Sequence, residues 1–87
     1  MAEGQRLDLF LKMSRLIKRR SVAKALCDAG RVQINGRTAK AGSLVQAGNR
    51  LRLDLPQGMV QVEVVRLPMR VEGPDGVVSI LSTAEST

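Results

Sequence analysis

Residues 21–40 read Ser21-Val22-Ala23-Lys24-Ala25-Leu26-Cys27-Asp28-Ala29-Gly30-Arg31-Val32-Gln33-Ile34-Asn35-Gly36-Arg37-Thr38-Ala39-Lys40, and the hydrophobic period changes half-way along. In the first half, Val22, Ala25, Leu26 and Ala29 recur at i, i+3, i+4 and i+7, the spacing of one buried helical stripe. Ser21 is a suitable N-cap. Gly30 follows as a residue able to close the helix with a positive φ. From Arg31 the pattern alternates polar and apolar. It then reaches Asn35-Gly36, the strongest two-residue hairpin signal, with Arg37 to Lys40 as the return strand. A helix that leads directly into a hairpin predicts a mixed fold.

Upstream, Leu7, Phe10, Leu11 and Ile17 fall near one helical face, which predicts a first helix over about 6–13 that ends or kinks near Ser14. Asp8, in its first turn, suits the positive helix end. Between the helices, Leu16 and Ile17 anchor a linker that presents Arg15, Lys18, Arg19 and Arg20 outward. Downstream, Gln46 to Asn49 read as a turn. Leu51, Leu53 and Leu55 alternate with Arg50, Arg52 and Asp54, and Val60, Val62 and Val64 alternate with Gln61 and Glu63, an antiparallel pair turned at Pro56-Gln57-Gly58. Pro68 ends that strand, residues 68–76 form a loop, residues 77–81 a short edge strand, and the chain from Ser82 a frayed tail. The fold class is α+β: a helical hairpin packed on a small twisted antiparallel sheet in a single domain. The domain spans 6–67 after a flexible start at 1–5, with 68–87 as the loop, strand and tail.

The charge is lopsided. Residues 1–40 carry ten Lys/Arg against three acids, net +7, whereas residues 41–87 carry four against five, net −1. Six bases fall between Lys12 and Lys24 with no acid among them. Charge that served solubility alone would be spread along the chain, whereas a one-sided field attracts and steers a polyanion. Nucleic acid is the simplest such partner.

Other classes lose ground on composition. Histidine is absent and Cys27 is the single cysteine, so neither a common zinc or iron site nor an internal disulfide is expected. Cys27 reads as a core thiol of a protein in a reducing cytosol. No run of apolar side chains exceeds three residues, so no signal peptide, spanning helix or membrane partner is expected. The glycines sit singly at turns, and Asp8 and Asp28, both read as helix-end or surface acids, are separated by a whole helical hairpin, which argues against an enzyme and against a bound cofactor. Phe10 is the one aromatic residue and lies on a buried face, so bases are not expected to stack on aromatic rings as single-strand binders require. What remains is Arg and Lys placed against phosphates and riboses, the recognition of a folded RNA or a duplex backbone. Ten of the fourteen bases are Arg, whose planar fork grips phosphate bidentately.

Several blocks resemble one family: Arg6-Leu7-Asp8, Leu11-Lys12, Ser14 to Ser21, Ala23-Lys24, Gly30-Arg31-Val32, Ile34-Asn35-Gly36, Ala39-Lys40, and Val45 with Gly48. In this order they are similar to the RNA-binding domain named after small-subunit ribosomal protein four, over about residues 6–66. The resemblance implies the helical hairpin known in that family as the αL motif, and a role in binding structured RNA. Among free-standing members, the Arg-Leu-Asp start followed by Ser-Arg-Leu-Ile-Lys-Arg-Arg is most similar to small bacterial ribosome-associated quality control proteins. That likeness implies, as partners, the large ribosomal subunit, its ribosomal RNA, peptidyl-tRNA and an RqcH-like factor that adds alanine tails to nascent chains. It also implies a monomeric, cytoplasmic protein. A heat-shock-type ribosome-recycling factor of the same family, or a basic adaptor for an acidic protein, are the alternatives.

Carried onto this chain, the family's basic helix-linker positions are Arg6, Lys12, Arg15, Lys18, Arg19 and Arg20, and Lys24, Arg31, Asn35, Arg37 and Lys40 flank the second helix and hairpin. Asn35 and Gly36 are equally expected as turn formers, because a type I′ turn alone demands them. Arg50, Arg52 and Arg66 read as a solvated face. Neither Arg6 nor Arg20 belongs to an apolar stripe, so both are expected to serve function and to be dispensable to the fold, with pairing to an acid near the first helix as the alternative role for Arg6.

Overall fold

The computed structural model describes residues 4–85. Strand β1 (Gln5–Arg6) leads into helix α1 (Leu7–Met13), and a six-residue linker connects it to α2 (Arg20–Asp28). The hairpin β2 (Val32–Ile34) and β3 (Arg37–Thr38) follows, then β4 (Leu44–Val45), β5 (Arg50–Leu55), β6 (Gly58–Val64) and β7 (Val78–Glu85). β1 pairs with β4 in a two-stranded sheet, and the other five strands form a sheet in the order β3-β2-β5-β6-β7. Every pairing between strands is antiparallel.

The local signals account for most of these elements. α2 ends as its glycine requires: Gly30 takes φ 75°, its amide donates to the Cys27 carbonyl, and the Arg31 amide donates to the Leu26 carbonyl, the paired bonds of a Schellman motif. Asn35 (φ 52°) and Gly36 (φ 84°) both take the positive φ of a type I′ turn. Alternation then sets the faces of the sheet. Leu51, Leu53, Val62 and Val64 are buried, while Arg52 pairs in register with Gln33 on one side and Gln61 on the other, all on the outer face. The inner face meets Leu7, Phe10 and Leu11 of α1, all fully buried, and Val32, Val45 and Val77 complete the core.

Four expectations are corrected. The buried face of α2 carries Ala23 and Cys27, with Leu26 partly buried, whereas Val22 is 46% exposed and Ala25 and Ala29 are exposed. Ala23, Leu26 and Cys27 share the same i, i+3, i+4 spacing, and the small pair suits the side that packs against α1. Ser21 is not the cap: α2 starts at Arg20 after an extended Arg19, and no side chain bonds the helix start. Arg6 lies in β1 and at the N-cap of α1, and Gln5, assigned to a flexible start, pairs with Val45. Strand β7 continues through Ser82 to Glu85 instead of fraying, because it goes on pairing with β6 as far as Gly58 after a bulge between Ile80 and Ser82 that shifts the register by one residue. Residues 1–3 of the expected start, and 86–87 of the expected tail, lie outside the described residues.

Candidate RNA interface

The linker is a built structure. Ser14 closes α1, its amide bonded to the Phe10 carbonyl and its Oγ donating to the Leu11 carbonyl at 3.3 Å. Arg15 then takes φ 59°, a left-handed conformation that non-glycine residues adopt at a cost. The Arg15 amide donates to the Lys12 carbonyl and the Ile17 amide to the Leu11 carbonyl, and Ile17 enters the core. Burying Ile17 leaves Arg15, Lys18, Arg19 and Arg20 on the outside.

Two groups of bases result. Lys12, Arg15 and Lys18 line a cleft of about 400 Å³ whose remaining lining residue, among the described residues, is Val71. The loop that supplies Val71 is pinned in place. Glu72 donates its amide to the Met13 carbonyl at 2.8 Å, Arg66 grips the Glu72 carboxylate with two bonds of 2.9 and 2.6 Å, and Gln5 Nε2 donates to the Pro68 carbonyl at 2.9 Å. The second group is Arg6 and Arg20, which meet at Asp8. Arg6 Nε lies 3.2 Å from Asp8 Oδ1, Arg20 Nε lies 3.3 Å from Oδ2, and the Leu9 amide donates to Oδ1 at 2.8 Å. Asp8 is therefore a buried acid, not the surface helix-end acid expected. Burial pulls its pKa upward, but the bonds from Arg6, Arg20 and the Leu9 amide outweigh that and hold it below the ordinary carboxylate value.

The other expected site residues divide. Arg19, Lys24, Arg31, Arg37 and Lys40 are exposed but take no part in either group. Asn35 is put to structural use: its amide donates to the Arg50 carbonyl, and its side-chain oxygen accepts from the Arg50 amide at 2.8 Å. Asp8, Val71 and the loop after Pro68 were not expected at the site.

Charge pairing separates most of these bases from the arginines on the outer face of the sheet. Among the described residues, no acid lies within 4 Å of the charged groups of Lys12, Arg15, Lys18, Arg19, Lys24, Arg31, Arg37 or Lys40. On the sheet, Arg50 pairs with Glu63 at 3.8 Å and Arg52 with Asp54 at 3.3 Å. A groove of about 590 Å³ on that outer face, lined by Gln33, Arg50, Arg52, Gln61 and Leu81 among others, is larger but its arginines are already matched by acids. Unmatched charge, not cavity size, marks the face that attracts a polyanion.

Cys27 carries no chemistry here. The thiol is buried, and burial, followed by the nearby Asp8 and Asp28 charges, pushes its pKa up to about 11. Among the described residues there is no group of three metal-ligating side chains, and no helix is long and apolar enough to cross a membrane.

The S4 domain family model matches residues 5–51, the segment that carries both helices, the linker and the hairpin. An RQC P-site tRNA stabilizing factor of Halalkalibacterium halodurans is 50% identical over 62 residues, covering 71% of this chain and 70% of the relative. The protein of the same name in Bacillus subtilis is 53% identical over 62 residues, covering 71% and 72%. In fold, the chain is similar to the trimeric structure of Vibrio cholerae heat shock protein 15, with a TM-score of 0.83 at 24% identity over 92% of this chain and 84% of that one.

Proposed function

We propose that this chain, which belongs to the S4 domain family and within it to the RQC P-site tRNA stabilizing factors, binds tRNA and large-subunit ribosomal RNA together. On a large subunit stalled with peptidyl-tRNA it holds the tRNA in place while an RqcH-like factor adds alanine to the nascent chain. It acts without catalysis, as a cytoplasmic monomer whose basic surface is its working part.

The observation that carries this reading is the unmatched linker. Lys12, Arg15 and Lys18 converge on one cleft with no acid among its described lining residues, on a backbone locked by Ser14, Arg15 and Ile17. Bases held this way suit phosphates whose spacing is itself fixed, as in folded RNA. The hairpin bases Arg31, Arg37 and Lys40 extend the positive field beyond the linker.

Two measurements test it. Affinity purification from a native lysate should recover free large subunits that carry peptidyl-tRNA, and alanine tailing should fall when the chain is removed. Recovery of an acidic protein without ribosomal RNA, together with no binding to tRNA at low salt, would establish the adaptor reading instead.

A further inference from the structure

We infer that Asp8 is a positioning residue of the RNA surface: its buried carboxylate gathers the guanidinium groups of Arg6 and Arg20 into one fork that takes a single backbone phosphate. The inference rests on the RNA-binding reading and concerns how that surface is organised.

An acid at the centre of a polyanion-binding face has the wrong sign by Coulomb's law alone. Its placement resolves the conflict. The Asp8 side chain is 4% exposed, while those of Arg6 and Arg20 are 52% and 45% exposed, so an approaching phosphate meets guanidinium and not carboxylate. Asp8 uses both oxygens on the protein. Oδ1 accepts from Arg6 Nε and the Leu9 amide, and Oδ2 accepts from Arg6 Nη2 at 3.4 Å and Arg20 Nε at 3.3 Å. Arg20 spends only its Nε, and neither of its terminal nitrogens has a protein acceptor among the described residues. The cluster keeps one net positive charge, carried on two half-exposed guanidinium groups.

Three elements meet at this point. Arg6 comes from the end of β1, Asp8 from the first turn of α1 and Arg20 from the first turn of α2. Free arginine side chains lose rotamer freedom when they grip a ligand, and anchoring them beforehand removes that loss. The same three-way contact also joins α2 to α1. The test must therefore separate positioning from simple support of the fold.

The probe is fluorescein-labelled bacterial tRNA, followed by anisotropy at one fixed salt concentration. Asp8→Asn raises the net charge by one, so electrostatics alone predicts equal or tighter binding. Positioning predicts binding weaker by roughly tenfold, the scale on which orienting partners act at other preorganised sites. The loss should vanish in the Arg6→Gln/Arg20→Gln background, where nothing is left to position. Asp8→Asn that binds as well as the wild type overturns the inference, and so does a loss that persists in the double-variant background. Circular dichroism confirms that each variant is folded. If Asp8→Asn does not fold, the arginine Nε–H resonances of the wild type decide on titration with tRNA: shifts at both Arg6 and Arg20 support the fork, and a shift at only one of them overturns it. A wild-type chain that binds no tRNA overturns the functional reading along with this one, whereas wild-type binding matched by Asp8→Asn overturns this one alone.

Discussion

Replacing Lys12, Arg15 and Lys18 together by Gln should flatten the salt dependence of RNA binding by an amount the structure fixes in advance. The three side chains line one cleft, and none has an ion-pair partner among the described residues. Each therefore displaces counterions from phosphate without first giving up an acid. At about 0.9 in the log–log slope per duplex phosphate neutralised, three contacts contribute about 2.7. Doubling the salt should then weaken the wild type about sixfold more than it weakens the triple variant. The control is Arg50→Gln/Arg52→Gln, which removes two arginines matched by Glu63 and Asp54 and should leave the slope nearly unchanged. The assay is tRNA binding by filter retention or anisotropy across a salt series, with thermal melts to confirm folding. Equal slopes in wild type and triple variant, or an equal drop in the control, would refute the assignment of the linker cleft as an RNA contact.

Three further outcomes follow from the same geometry. Arg15→Gly should raise stability by up to about 1 kcal/mol, because glycine takes the left-handed conformation without the Cβ penalty, yet it should weaken RNA binding; urea melts and anisotropy read the two in opposite directions. Phe10→Ala, at a fully buried position, should cost about 3–5 kcal/mol, whereas Val22→Ala, on the exposed side of α2, should stay within about 0.5 kcal/mol; the reverse order would mean that α2 packs on its other face. Asp8 has its folded pKa below the ordinary 3.8, so its contribution to stability is complete above that value and is lost as pH falls through the lower folded pKa. Asp8→Asn should therefore remove part of the acid limb of the stability curve, and an unchanged limb would mean that other carboxylates set it.

What the sequence disclosed was whatever depends on neighbours along the chain. The Asn35-Gly36 turn, the closure of α2 at Gly30 and the alternation of Leu51, Leu53, Val62 and Val64 each rest on local backbone geometry or a period of two, and each appears in the fold as read. The face of α2 is different. Val22, Ala25, Leu26 and Ala29 and the set Ala23, Leu26 and Cys27 fit the helical period equally well. Only the approach of α1, which suits small side chains, selects the second. Strands β1 and β4 are two residues each, too short for any periodic signal, and exist because they pair with one another. The polar end of β7 reads as a tail until β6 offers it a partner and a bulge sets its register.

The site was legible as a list of bases but not as an arrangement. An acid in the first turn of a helix looks the same in sequence whether it faces solvent near the helix dipole or is buried beneath two arginines. The difference changes how the interface has to be probed. Arg20→Glu would place a second carboxylate against the buried Asp8, so a loss of ribosome binding could reflect a damaged fold and not a lost contact. Arg66, read from sequence as part of a solvated face, would make a poor control, because it holds Glu72, whose amide ties the Val71 loop to the end of α1. Neutralising changes reduce both faults. Arg20→Gln removes the guanidinium without adding an anion, and Arg52→Gln loosens only an exposed pair with Asp54. If large subunits retain Arg52→Gln and release Arg20→Gln while both melt near the wild type, Arg20 contributes to binding through its charge. If both are retained equally, the meeting of Arg6, Asp8 and Arg20 is an internal brace of the helical hairpin, and the RNA contact rests on the Lys12, Arg15 and Lys18 cleft alone.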